Sequence, residues 1–224
     1  MKRIKLDDRI LPNYSKGEEI ANMVTHIVGG ALGIVSLVLC VIFSSIKGNV
    51  YGIIGSVVFG VTMIFLYTMS SIYHGLNKGL KSKKVFQIID HCTIFLLISG
   101  TYTPILLCSV REYNSILGWS LFAFIWLFAI IGIVLNAIDL KRYKIFSLIC
   151  YLGMGWSIIV LGKNFVNIVG LNAIIFLLIG GILYTIGFIF YAYGKKVKYF
   201  HMIFHIFCVF GSLMHFLCIL FFII

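Results

Sequence analysis

Apolar residues run through the 224-residue chain in long blocks that short polar breaks separate. A helix needs about 20 predominantly apolar residues to cross the hydrocarbon layer of a membrane. Seven blocks approach or exceed this length, at residues 21–46, 51–76, 85–108, 115–138, 145–161, 165–193 and 200–224. None of the breaks is long enough to fold as a domain. The pattern therefore predicts an all-α membrane protein, a seven-transmembrane helix bundle.

The composition excludes most other classes of protein. Hydrophobic residues make up 61% of the chain and charged residues only 11%, against about 25% charged in a typical soluble domain. A mean hydropathy of +1.09 rules out a soluble enzyme, a disordered tail and a secreted disulfide scaffold. The six cysteines lie inside apolar blocks without a Cys-x-x-Cys pair, which favours packing over disulfides or metal binding.

The positive charge indicates an orientation in the membrane. The formal net charge is +11, and 15 of the 18 lysines and arginines fall in the N-terminal segment or in alternate breaks on the same side as that segment. Cytoplasmic loops are enriched in these residues, so we expect a cytoplasmic N-terminus and an external C-terminus, and no nucleic-acid partner. We divide the chain into a short basic cytoplasmic segment, 1–20, and a single transmembrane domain, 21–224.

Histidines are concentrated inside the predicted spans. All six lie there: His26, His74, His91, His201, His205 and His215. Among the acids, Asp90 lies well within a span, and four spans bring polar groups to the same level near the cytoplasmic face. Ionisable groups in hydrocarbon are costly, which indicates a functional site. His215 lies ten residues beyond His205, about 15 Å deeper, and a packing role is favoured for it and for His91.

Two of these histidines have the spacing of metal ligands. His201 and His205 stand four residues apart, so both project from one helix face. Three imidazoles and an open position form the ligand set of catalytic zinc, and His74 and Asp90 lie at matching depth. Asp90 could bind the metal, hold its water or orient an imidazole. Hydrogen bonds between helices without a metal are the alternative, and Ser70 could equally bond its own helix backbone.

The polar residues fall into three motifs. They run from Glu19 to His26, from Ser70 through Asp90 to Pro104, and from Phe200 to His215. With these motifs, in this order and on these spans, the sequence resembles the hemolysin III family, the bacterial branch of the progestin and AdipoQ receptor superfamily. The resemblance covers nearly the whole chain and implies a seven-helix bundle with Zn²⁺ near the cytoplasmic face.

The resemblance also implies roles for individual residues. The metal-binding histidines of the family match His74, His201 and His205. Its acidic site residue matches Asp90 and its site serine matches Ser70. A motif with a supporting role matches Glu19, Asn22 and His26.

The expected function is a plasma-membrane hydrolase that uses zinc to cleave a lipid amide, in a ceramidase-like reaction. A non-catalytic, zinc-stabilised sensor or regulator of membrane homeostasis would use the same ligands. A pore-forming cytolysin that acts as an oligomer is less favoured, because the outer halves of the spans are almost wholly apolar. In each case the expected partner is membrane lipid, as substrate or ligand, and the oligomeric state is left open.

Overall fold

The computed structural model describes residues 5–194 and 196–224, and all regular structure in them is helical. The helices are α1 (Lys16–Ile46), α2 (Val50–Gly75), α3 (Lys81–Tyr113), α4 (Ser115–Asp139), α5 (Lys144–Gly155), α6 (Asn164–Val169), α7 (Leu171–Tyr193) and α8 (Phe200–Ile223). The first four residues of the predicted segment 1–20, and Lys195 of the orientation count, lie outside the described residues.

Six of these helices are long and apolar enough to cross a membrane, namely α1 to α4, α7 and α8. The prediction of an all-helical membrane protein is confirmed. The block predicted as the fifth span, 145–161, is a 12-residue helix, α5, followed by a 3₁₀ turn at Ser157–Leu161. These helices expose large apolar side chains, as a lipid-facing surface requires. Examples on α1 are Ile27, Val28 and Ile34.

The sixth predicted span, 165–193, is wrong as a single helix. Gly170 divides it into α6 and α7, and its φ of 81° lies in the left-handed region that glycine adopts without a steric penalty. An apolar run does not reveal such a break, because hydropathy carries no information about one backbone angle.

Helix α1 begins five residues before the predicted span. The side chain of Ser15 accepts a hydrogen bond from the Glu18 amide, and the Glu18 side chain accepts one from the Ser15 amide. This capping box satisfies amides that would otherwise lack partners at the helix start. The extension places Glu19 in the first turn of the helix.

Small residues bring α1, α2 and α3 close together. A Cβ at Gly29 would lie 2.5 Å from the ring of Tyr67, and Gly33 lies against Ile64, so these two glycines bring α1 close to α2. Gly55 of α2 lies against Pro104 of α3 in the same way. After Pro104, which lacks an amide donor, α3 continues as a wider π-helical segment, Ile105–Val110.

Candidate metal centre

Three histidines converge between α2 and α8. One ligand atom from each of His74, His201 and His205 lies within 4.8 Å of the other two, and Nε2 of His201 and Nε2 of His205 are 3.2 Å apart. Around a tetrahedral zinc with nitrogens at about 2.0–2.1 Å, neighbouring ligand atoms are separated by about 3.3 Å. The three imidazoles can therefore hold one metal ion.

A carboxylate orients the first of these imidazoles. Glu19 Oε2 lies 2.7 Å from Nδ1 of His74, and because a carboxylate only accepts, Nδ1 carries the proton. Nε2 of His74 then has a free lone pair. It is buried and has no hydrogen-bond partner among the described residues. A buried acceptor without a partner is costly, and a metal ion would satisfy it.

Backbone oxygen orients the second imidazole. Nδ1 of His205 donates to the carbonyl of Asn22 at 3.3 Å, so its Nε2 is the acceptor that faces His201. Asn22 is wholly buried, and its backbone carbonyl fixes the tautomer of His205.

His26 packs against the site but is not one of the converging ligands. Its ring stacks on His205 with centroids 3.6 Å apart and meets Tyr67 edge to face at 5.0 Å. Among the described residues, neither ring nitrogen has a hydrogen-bond partner. The contacts support the position of His205 and leave His26 as a polar group in the wall of the site.

Asp90 and Ser70 line an internal cavity of about 180 Å³ that also reaches His201 and His205. Asp90 does not belong to the group of converging ligand atoms, and Oδ2 of Asp90 lies 3.6 Å from Nδ1 of His91. The oxygen of Ser70 is buried without a hydrogen-bond partner in the described part of the chain. The bond to its own helix backbone, one of the two alternatives for this serine, is therefore not made.

Sequence reasoning missed Lys83, which it counted only as a basic loop residue. This lysine is 1% exposed, and its Nζ lies 3.0 Å from Glu19 Oε1. It also donates to the backbone carbonyls of Leu76 at 2.8 Å and His74 at 3.3 Å. Glu19 thus bridges a buried ammonium and His74, one of the three converging histidines. The sequence does not distinguish the buried Lys83 from Lys81, which lies two residues earlier and is exposed.

Tyr14 was missed as well. Its ring stacks on His201 with centroids 5.1 Å apart and an interplanar angle of 18°, and its carbonyl accepts a hydrogen bond from Lys78. Burial raises the pKa of the Tyr14 phenol. The segment before α1 therefore covers one end of the site. An aromatic residue just ahead of a helix cap is the one sequence signal for it.

The rest of the cavity has mainly apolar walls and lies between α3, α5, α7 and α8. Its walls include Leu97, Ile98, Leu148, Leu152, Phe188 and Phe204. The wall residues that α5 and α7 contribute are mostly half-exposed, so the cavity is not closed between these two helices. An alkyl chain fits such walls, because they offer it the same surroundings as the bilayer interior.

The fold and the site define a class of protein: a multi-pass protein of the plasma membrane with a three-histidine centre that can hold a metal ion. The family described as Haemolysin-III related matches residues 14–216, and the chain belongs to it. The resemblance stated from the motifs is thereby confirmed.

Individual relatives agree with this assignment. Hemolysin-3 of Bacillus cereus is 41% identical over 208 residues, which cover 92% of each chain. The Hemolysin-3 homolog of Bacillus subtilis is 39% identical over 205 residues, 92% of this chain and 94% of that protein. The human monocyte to macrophage differentiation factor is 25% identical over 209 residues, 90% of this chain and 83% of that protein. The last of these supports the wider superfamily.

Proposed function

We propose that this protein is a zinc-dependent hydrolase that cleaves an amide bond of a membrane lipid, as a ceramidase does. One observation carries the proposal: three buried imidazoles converge at the polar end of an apolar cavity whose wall also contains a carboxylate and an unpaired hydroxyl. A site that only stabilised the fold would need neither the cavity nor these two groups.

The donor set favours zinc among the common divalent ions. Three neutral imidazoles are ligands of borderline softness, whereas magnesium and calcium prefer oxygen. His74, His201 and His205 would hold the ion, and the lone pair of His74 Nε2 would gain its missing partner. Bound zinc would polarise the amide carbonyl and make water more acidic.

The residues that line the cavity would transfer protons, stabilise the carbonyl oxygen and bind the acyl chain. The Asp90 carboxylate takes a proton from the attacking water and returns it to the leaving nitrogen as the C–N bond breaks, which leaves a carboxylic acid and an amine. The Ser70 hydroxyl donates to the carbonyl oxygen as negative charge develops there. The apolar walls hold the acyl chain. Asp90 and Ser70 are thus our proposed catalytic residues.

The proposal includes a topology. We place the N-terminus in the cytoplasm and the C-terminus outside, with α5 and its 3₁₀ extension as the fifth of seven crossings and residues 21–224 as one membrane domain. The distribution of lysine and arginine supports it. Single cysteines at Lys81 and Lys163, introduced in a cysteine-free variant, test it: an impermeant reagent added to intact cells should label only the second position.

The test of function uses purified protein in detergent or nanodiscs. We expect about one zinc per chain and release of fatty acid from at least one amide in a panel of ceramides and N-acyl lipids. Asp90→Asn should keep its zinc and lose turnover by about 10²–10⁴-fold, because a general base contributes that much. Zinc-loaded protein that cleaves no amide or ester in the panel would contradict the proposal.

That contrary result would favour the second candidate, a regulator without turnover. The ligands come from α2 and α8, so a bound ion would join two helices far apart in the chain. Under this alternative, loss of metal would change the phenotype of cells while Asp90→Asn would not. A single-chain pore gains no support, because the cavity walls beyond the site are mainly apolar.

A further inference from the structure

One histidine differs from the other five in its hydrogen bonds. All six lie in the described part of the chain, and there His26 has no hydrogen-bond partner at either ring nitrogen. The other five each have a polar contact at a ring nitrogen: His74 with Glu19, His91 with the Gln87 carbonyl, His201 with His205, His205 with the Asn22 carbonyl, and His215 with the Leu177 carbonyl. Both nitrogens of His26 are therefore open to a ligand.

The ring of His26 is held from two sides. It extends from α1, stacks on His205 of α8 with an interplanar angle of 18°, and meets the edge of Tyr67 of α2 at 78°. The residue is 4% exposed. Because two helices fix the plane of the ring, its nitrogens point in set directions, as a preorganised binding group requires.

Packing alone does not account for an imidazole at this position. A phenyl ring could make the same two ring contacts without burying polar atoms that lack partners, which is costly. The three converging histidines do not include His26, so the metal centre leaves its nitrogens unused. In apolar surroundings the ring is neutral, with one N–H and one lone pair to offer.

A lipid amide brings two hydrogen-bonding atoms to the reacting centre. Its carbonyl oxygen accepts and its N–H donates. In the proposed reaction the metal and Ser70 bind the carbonyl oxygen, and Asp90 takes a proton from the attacking water. The N–H still needs an acceptor, and His26 lines the same cavity as Ser70 and Asp90 with an open lone pair.

We infer that His26 determines specificity, because its unprotonated nitrogen accepts a hydrogen bond from the N–H of the lipid amide. The inference rests on the proposed function, since it takes the metal end of the cavity as the place where the amide binds. The proton on the other ring nitrogen is left for an oxygen of the lipid head group or for water.

This contact restricts the substrate to secondary amides. An ester has an oxygen in place of the N–H, so a lone pair of that oxygen would face the lone pair of His26. A site with a buried acceptor discriminates strongly against an analogue that lacks the matching donor, because the acceptor then stays unpaired. A tertiary amide lacks the donor in the same way.

The binding of two matched lipids tests the inference. Zinc-loaded Asp90→Asn protein in nanodiscs is titrated with radiolabelled N-stearoylethanolamine and with 2-hydroxyethyl stearate, its ester analogue, in which oxygen replaces the N–H. We expect the amide to bind about tenfold more tightly, because only the ester leaves the buried lone pair unpaired. His26→Phe in that background keeps a ring and removes both nitrogens, so the two affinities should come within about twofold of each other.

His215→Phe is the matched control. It makes the same change at another histidine of the cavity wall, one whose Nε2 bonds to the Leu177 carbonyl, and it should keep the preference for the amide. Zinc content verifies that each variant is folded. A preference that survives His26→Phe would overturn the inference.

Equal affinities for the two lipids in protein that retains His26 would overturn it as well, and this result does not depend on the folding of any His26 variant. The proposed function is judged separately, by turnover. Amide hydrolysis by the unmodified protein, combined with equal affinities, would contradict the role of His26 alone. Tighter binding of the amide without hydrolysis would contradict only the proposed function.

Discussion

The two sides of the bundle are built differently. On the side of α1, α2 and α8, helices approach at glycines such as Gly29, and polar side chains meet in pairs, as Glu19 and His74 do. On the side of α5 and α7, the helices leave a cavity between them, and a Cβ at Gly155, which lines this cavity, would meet no atom within 4 Å.

The difference agrees with what the proposed function would require of each side. A metal ion requires ligand atoms fixed within tenths of an ångström, which close packing and hydrogen bonds around the ligands provide. A lipid substrate would have to enter and leave from the bilayer, which close packing would prevent. In this proposal the closely packed side carries the metal ligands, and the open side carries the apolar walls.

The largest effect should come from removing a ligand on the closely packed side. His205→Ala takes away one of three imidazole nitrogens, and we expect loss of stoichiometric zinc and of any activity. His215→Phe, on the same helix but beyond the metal centre, should retain zinc. Metal analysis of the two purified variants makes the comparison. Zinc retained in His205→Ala would exclude His205 as a ligand.

The next effect concerns two neighbouring serines. Ser70→Ala removes the unpaired hydroxyl of the cavity and should lower kcat by about 10²–10³-fold, the usual cost of one donor to a developing oxyanion. Ser71→Ala is the control, because the Ser71 hydroxyl bonds to backbone carbonyls and does not line the cavity. Both variants should retain zinc. Similar kcat values for Ser70→Ala and unmodified protein would argue against a catalytic role.

A smaller effect is expected when the ligand is untouched and its support is removed. Lys83→Met leaves Glu19 without its buried cation, so His74 is held less firmly and zinc affinity should fall about 10–100-fold. Competition with a zinc-binding dye measures this. Lys83→Arg should recover part of the affinity, and Lys81→Met, which breaks an exposed ion pair with Asp7, should change nothing. Equal losses in the two methionine variants would contradict a specific role.

The smallest effect compares one glycine from each side. Gly29→Ala would place a methyl group 2.5 Å from Tyr67, so we expect a loss of about 1–3 kcal/mol in stability. Gly155→Ala meets open space at the last residue of α5 and should be neutral or stabilising by up to about 1 kcal/mol. Thermal unfolding in detergent measures both. Equal destabilisation of the two variants would contradict the difference in packing between the two sides.

Much of the candidate site could be predicted because its signals are local or set by depth. The spacing of His201 and His205 fixes a shared helix face, and hydropathy places His74 at the same level. The position of Asp90 outside the ligand group depends on helix rotation, which hydropathy does not contain. The burial of Lys83 depends on how α3 begins beside α1. The break at Gly170 depends on a single backbone angle.

The stacking of Tyr14 on His201 has a practical consequence. A route to the three histidines past the segment before α1 meets a phenol ring, and Lys78 donates a hydrogen bond to the carbonyl of the same residue. If the proposed ion is bound, the rate at which a hydrophilic chelator removes it would therefore depend on the few residues ahead of α1 more than on the helices. An affinity tag fused directly before Tyr14 would disturb the stacking of this ring on His201 and so change the access of reagents to the site.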